Sequence, residues 1–202
     1  MLKHKLSLIL LFLTISLSVA AQHDDKAKKI LDNVASTYNS SEGMKIVFKG
    51  TQKGTIWLKG NCFVLECGGV KSWFDGETQW SYVADNEEVN ISSPTPEEVQ
   101  VVNPYTLVTM YRSGFDYRYE GAKTRNNQRG DEVALIPQKS TDIRMIILSV
   151  NKDNVPFYIG LDMKNGHYEE FILSDIQKVT LNDSFFCFNK NLYPNAEVID
   201  LR

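Results

Sequence analysis

The sequence predicts an α+β domain in which one large antiparallel sheet, curled or barrel-like, is covered by helices. Three observations carry this. From residue 44 onward, apolar residues recur at every second position in short segments, the period of a half-buried strand. Turn residues separate the segments; Asp75-Gly76 and Asn165-Gly166 are the strongest hairpin signals. Only two later stretches, 24–38 and 105–112, carry a helical period. Strands that follow one another through short turns pair with their sequence neighbours, which builds an antiparallel sheet.

The elements follow in order. A helix is expected over residues 24–38, because Ile30, Val34 and Tyr38 fall at i, i+4 and i+8 while Ala27 and Leu31 widen the stripe. Asp24 or Asp25 can cap its start, and Asn39-Ser40-Ser41-Glu42-Gly43 ends it. Strands are expected over 44–48, 54–59, 62–67, 70–74, 79–83 and 88–92. Ser93-Pro94-Thr95-Pro96 breaks the pattern. Asn103-Pro104 then sets a capping residue before a proline at the first helical position. It opens a short helix over 105–112, with Leu107, Met110, Tyr111 and Phe115 along one stripe. Strands resume over 118–124 and 132–136, around a polar turn at 125–131, and continue over 144–150, 156–163, 168–173, 185–188 and 197–200.

Many of these strands carry large apolar side chains on one face: Ile56 and Leu58, Phe63 and Leu65, Trp80 and Tyr82, Val133 and Leu135, Ile146 and Leu148, Ile159 and Leu161. Two short helices cannot fill the concave side of so many curved strands. The pattern leaves either an apolar cavity or a fully packed core. The parity of Trp57 and Trp73 opposes the apolar face, whereas Trp80 has the better claim on it.

The amino terminus reads as an export signal, residues 1–21. Lys3, His4 and Lys5 form a basic head, residues 6–19 are almost all apolar, and Ala20-Ala21-Gln22 offers cleavage after either alanine. The apolar run falls short of the roughly 20 residues that span a bilayer; a retained anchor helix is the alternative. No cysteine lies near the junction for lipid attachment, so residues 22–202 are expected to form a free, single periplasmic domain. Three cysteines are an odd count for an exported chain. Cys62 and Cys67 point to opposite faces of one strand and cannot pair with each other. Buried free thiols are the preferred reading, and a bond from Cys187 to one of them is the alternative.

Composition and motifs exclude several classes. A net charge of −3 with scattered Lys and Arg offers no basic stripe for nucleic acid. His4, His23 and His167 have no cysteine, carboxylate or metal-ligand pattern around them. No nucleophile elbow, zinc-protease motif or phosphate loop is present. The adjacent pairs Glu87-Glu88 and Glu169-Glu170 put their carboxylates on opposite strand faces. A non-enzyme without catalytic residues, metal or cofactor is expected.

From Gly54 onward the order of motifs resembles the LolA family, periplasmic carriers of outer-membrane lipoproteins. The residues that carry the resemblance are Gly54-Thr55-Ile56-Trp57-Leu58-Lys59 followed by Phe63, then Asp75-Gly76 leading to Trp80-Ser81-Tyr82, and Glu87-Glu88-Val89. Asn103-Pro104 with Leu107, Val133-Ala134-Leu135-Ile136-Pro137, Phe186-Cys187-Phe188, Pro194 and Val198-Ile199-Asp200 complete the order. It covers nearly the whole mature chain. One departure stands out: the family places an arginine after the Trp strand to hold its lid closed, whereas Lys59-Gly60-Asn61-Cys62-Phe63 has none.

The resemblance implies an unclosed half-barrel of about eleven antiparallel strands with a helical lid over its concave face. Acyl chains would sit in a cavity lined by Ile56, Leu58, Phe63, Leu65, Trp80, Tyr82, Leu135, Ile146, Leu148 and Ile159. Ile30, Leu31, Val34, Leu107, Met110 and Tyr111 would form the lid. The implied ligands are acylated lipoproteins or another lipid. The implied partners of this monomer are an inner-membrane release complex and an outer-membrane receptor. A carrier or sensor of another periplasmic lipid or glycolipid is the competing implication.

Overall fold

The computed structural model describes residues 24–38, 43–95, 99, 111–112 and 114–202. The expected export signal and most of the expected second helix, with Leu107 and Met110, lie outside these residues. Helix α1 (Asp25–Tyr38) precedes β1 (Gly43–Gly50), β2 (Gly54–Lys59), β3 (Cys62–Cys67), β4 (Val70–Phe74), β5 (Gln79–Val83) and β6 (Glu88–Ser92). Further along the chain come β7 (Phe115–Arg125), β8 (Gln128–Pro137), β9 (Ile143–Val150), β10 (Pro156–Met163), β11 (Tyr168–Val179) and β12 (Glu197–Asp200).

The strands form one unclosed sheet in the order β12-β6-β5-β4-β3-β2-β1-β11-β10-β9-β8-β7. Two meanders, β1 to β6 and β7 to β11, meet where β1 pairs with β11. The sheet has twelve strands rather than about eleven, and it is mixed rather than purely antiparallel, because β12 joins β6 in parallel. The alternation of side chains marks a strand but says nothing of its partner's direction.

Three local features depart from the expected elements, each for a backbone reason. Asn126 and Asn127 both adopt positive φ (+45° and +61°) and turn the chain in two residues. Strands β7 and β8 therefore run to Arg125 and from Gln128, replacing the long polar turn expected at 125–131. A bulge at Gly121 (φ +89°) shifts the register between Tyr119 and Gly121 and bends this hairpin. The strand expected at 185–188 is instead a 3-10 turn, Asp183–Phe186, followed by another, Lys190–Leu192. There the Asn182 side chain accepts the Phe185 N–H at 3.0 Å, a local bond that competes with strand pairing.

Helix α1 starts where its cap dictates. Asp24 Oδ1 accepts the N–H groups of Lys26 and Ala27 at 2.8 and 3.1 Å. Its other oxygen accepts the Tyr119 N–H at 3.0 Å, so the same carboxylate fastens the helix to the edge strand β7. That backbone bond, then the bond from Ala27, holds the Asp24 carboxyl below its usual range. Asp24→Ala is expected to cost about 0.5–2 kcal/mol in urea unfolding, the usual range for a lost cap. The contribution is present above the ordinary carboxylate pKa and disappears as pH falls through the lowered value.

Two side-chain systems brace the outer face. Under the C-terminal arm, Trp57, Val64, Trp73, Trp80 and Ile91 are successive register partners across β2 to β6. Phe188 and Tyr193 stand edge-on to Trp73 at 5.5 and 5.6 Å, Phe185 stands near Trp57 at 5.9 Å, and Phe186 is buried among them. On the other half, Arg125 Nε and Nη2 donate to Glu132 at 2.8 and 3.1 Å, and Ser149 Oγ donates to the same carboxylate at 3.2 Å. The guanidinium also lies 5.0 Å from the Tyr158 ring centroid. All three cysteines are free; Cys62 and Cys67 are half-buried and Cys187 is exposed, so the expectation of buried thiols does not hold. Cys187 is exposed although Phe186 and Phe188 on either side of it pack in the aromatic layer.

Candidate functional site

The helix-covered face of the sheet is the candidate site. Two apolar rows cross it. In one half, Ile46, Ile56 and Leu65 are register partners, beside the row Met44, Leu58, Phe63 and Phe74. In the other, Tyr119, Val133, Leu148, Ile159 and Phe171 form one row, and Tyr117, Leu135, Ile146 and Leu161 the next. Antiparallel register keeps partners on one face, which is why residues far apart in sequence make a continuous wall. Ala27, Ile30, Leu31 and Val34 from α1 lie in the same apolar cluster.

The cavity residues expected from sequence divide in two. Ile56, Leu58, Phe63, Leu135, Ile146, Leu148 and Ile159 belong to the cluster beneath α1, and Leu65 packs against it half-buried. Trp80 and Tyr82 do not join them. They pack in the outer aromatic layer, where Tyr82 lies 4.6 Å from Tyr193. The physical reason is register: the Asp75-Gly76 hairpin sets Trp80 opposite Trp73, so both tryptophans share the outer face. Of the expected lid, Ile30, Leu31, Val34 and Tyr111 are buried in the cluster, while Leu107 and Met110 lie outside the described residues.

A polar cluster fastens α1 at its solvent side. Asp32, in the middle of the helix, accepts a short hydrogen bond from the Tyr111 hydroxyl, one from Arg112 Nη2 at 2.7 Å and one from Lys28 Nζ at 2.6 Å. Arg112 Nε donates to the Tyr111 oxygen at 3.1 Å. Lys28 first, then Tyr111 and Arg112, hold the Asp32 carboxyl far below its ordinary value. Burial, then the bond to Asp32, pushes the Tyr111 hydroxyl up. Further along the helix, Asn33 Nδ2 donates to Asn154 Oδ1 at 3.2 Å in the β9–β10 turn. The helix is thus held to its neighbours by separate polar contacts at Asp24, Asp32 and Asn33, above an apolar contact surface. Sequence reasoning missed this set. Its one trace was the i, i+4 spacing of Lys28 and Asp32, which is common on exposed helices.

The covered face changes character towards β6. The row Ile46, Ile56, Leu65 continues as Ser72, Ser81 and Asn90, and the row ending Phe63, Phe74 continues as Gln79 and Ser92. The Ser72 and Ser81 hydroxyls are 2.9 Å apart, and Gln79 Nε2 donates to Ser81 Oγ at 3.1 Å. Ser72 is buried; the others are half-buried.

Among the described residues, no group of three or more His, Cys, Asp or Glu side chains could hold a metal ion. His167 lies 3.6 Å from Glu169 on an exposed turn. No helix of the described residues is long and apolar enough to cross a membrane. A separate open groove of 520 Å³ lies along β1 and β2, and Lys49, Lys53 and Glu66 are among the residues that line it.

Comparison with known proteins adds the following. Residues 17–166 match the family model described as outer membrane lipoprotein carrier protein LolA. An uncharacterised conserved protein from Thermus thermophilus has a similar structure, with a TM-score of 0.61 at 15% identity over 87% of this chain and 99% of that one. A DUF1329 family protein from Desulfovibrio piger has a TM-score of 0.52 at 11% identity, covering 82% of this chain and 98% of that one. At such identities these likenesses speak to the fold. No curated protein matches the chain in sequence.

Proposed function

We propose, from the premise that the chain belongs to the LolA family of outer membrane lipoprotein carriers, that it carries the acyl chains of lipoproteins across the periplasm from the inner to the outer membrane. The observation that carries this reading is the pair of apolar rows under a helix that polar contacts, not the chain's own core alone, hold in place. Each CH₂ moved from water to such a wall gains about 0.8 kcal/mol. A sixteen-carbon chain gains on the order of 10 kcal/mol before ordering costs. That is enough to keep an acylated protein from aggregating, and too much to release without a movable part.

The movable part in this reading is α1 with the segment at Tyr111. Ile56, Leu58, Phe63, Leu65, Leu135, Ile146, Leu148 and Ile159 form the acyl-binding wall; Ile30, Leu31, Val34, Leu107, Met110 and Tyr111 form the lid. Residues of α1 pack in the same apolar cluster, so in this reading ligand enters by lifting the helix. Asp32, Tyr111 and Arg112 take the place of the family's lid-holding arginine. An export signal at 1–21 supplies the periplasmic location. Donor and acceptor are an inner-membrane release complex and an outer-membrane receptor, which the protein meets as a monomer.

Mass spectrometry of the protein purified from periplasm tests the reading. Co-purifying triacylated protein is the expected result. Free lipid or glycolipid alone would make it a carrier or sensor of that lipid instead, and an unliganded protein that also fails to bind a synthetic triacylated lipopeptide would reject both.

A further inference from the structure

The polar end of the covered face is a candidate subsite in its own right. A carrier wall built only for hydrocarbon has no use for hydroxyls and carboxamides facing the same way as its leucines. Here the change is sharp and follows the register. One row reads Ile46, Ile56, Leu65, Ser72, Ser81, Asn90 from β1 to β6, apolar for three strands and polar for three. The neighbouring row turns polar one strand later, at Gln79 and Ser92. The polar strip therefore begins where the acyl-binding wall ends, on the same surface.

Its chemistry is specific. Strands β4, β5 and β6 bring no lysine or arginine to this face, since Lys71 lies on the opposite face beside Glu66 and Trp73. The next row of partners carries Glu88 and Glu197. A phosphate would meet no cation here and two carboxylates nearby, so the strip disfavours an anionic head. Two hydroxyls and two carboxamides supply six hydrogens for hydrogen bonding. Among the described residues, the bonds between Ser72, Ser81 and Gln79 use two of them. The remaining donors and the hydroxyl and amide lone pairs suit groups that both donate and accept.

We propose that Ser72, Gln79, Ser81 and Asn90 form a head-group subsite for an uncharged, amide- or hydroxyl-bearing head whose acyl chains lie along the adjoining wall. This rests on the carrier reading and narrows it. The acylated amino terminus of a lipoprotein, with its ester and amide groups, has this chemistry; so does a neutral glycolipid. Phosphatidylglycerol does not.

The test compares the native protein with Ser72→Ala/Ser81→Ala, which removes the two hydroxyls and little volume. Probes are a synthetic triacylated lipopeptide with a neutral peptide, a galactosyl diacylglycerol, phosphatidylglycerol and the hydrocarbon dye diphenylhexatriene. The native protein should bind the lipopeptide more tightly than phosphatidylglycerol. The double variant should lose about tenfold in lipopeptide affinity, the effect of one or two net hydrogen bonds, while dye binding stays unchanged. The same loss for the glycolipid alone would assign the subsite to a sugar head. Lipopeptide and glycolipid affinities both within twofold of native, or phosphatidylglycerol bound as tightly as lipopeptide, overturn the proposal. An equal loss of dye and lipopeptide marks the serines as structural and overturns it too. Failure of the native protein to bind either the dye or the lipopeptide would count against the carrier reading itself. Asn90→Leu, judged by the same pair of probes, provides an independent variant should the double variant not fold.

Discussion

Arg125→Met is expected to lower the stability of the domain by about 3 kcal/mol, the low end of the range for breaking a buried ion pair. Glu132 is only 3% exposed, and its carboxylate is neutralised by the paired Nε and Nη2 bonds from Arg125. Methionine keeps much of the apolar stem but leaves that carboxylate with Ser149 alone. The outer edge of the guanidinium meets solvent, which is why the upper end of the range is not expected. Urea unfolding should show a lower midpoint with an unchanged slope. Arg125→Met/Glu132→Leu should recover most of the loss, because the penalty belongs to the stranded charge and not to the missing bond. A single-variant loss below 1 kcal/mol would mean that water reaches Glu132 through the hairpin end.

The second large effect is kinetic. Asp32→Ala removes the acceptor shared by Tyr111, Arg112 and Lys28 while leaving every apolar contact of α1 in place. Exposed ion pairs contribute little individually, so the loss should fall mainly on the buried Tyr111 hydroxyl. Release of diphenylhexatriene or lipopeptide, followed by stopped flow, should speed up about tenfold, equivalent to about 1.4 kcal/mol less hold on the closed lid. Asp32→Asn should lie between native and alanine. The carboxyl is held below its ordinary value, so it stays ionised at neutral pH and the latch weakens only as pH falls below about 4 towards that lowered value. Release should therefore be flat between pH 5 and 8. Native-like release from the alanine variant would show that the apolar contacts alone hold α1.

How much of this was legible in the sequence depends on the range of the interaction. The hairpins from β2 to β6 were readable because turn residues fix the local register. The same argument failed for Trp80, since parity within a strand separates two faces without saying which is concave; only pairing with Trp73 decides it. At 182–188, alternating aromatics mimic a strand, but Asn182 holds the backbone in a 3-10 turn while the aromatics still reach the sheet. The buried apolar positions of α1 could be read from helical spacing. Asp32 could not, because its partners Tyr111 and Arg112 are about eighty residues away and no local pattern joins them.

The parallel pairing of β12 with β6 has a consequence for how the molecule comes into being. Strand β6 is complete by Ser92, yet its outer edge stays unpaired until residues 197–200 arrive. The tryptophan ladder behind it stays uncovered until Phe186, Phe188 and Tyr193 lie down. Likewise β1 waits for β11, more than a hundred residues later, before the two meanders join. Pairings of such long sequence separation close slowly, because the loop entropy is lost before the contacts form. The meander made first is thus finished by strands that follow it about a hundred residues later. Such a chain leaves the edge of β6 open to a holding chaperone until that partner strand arrives.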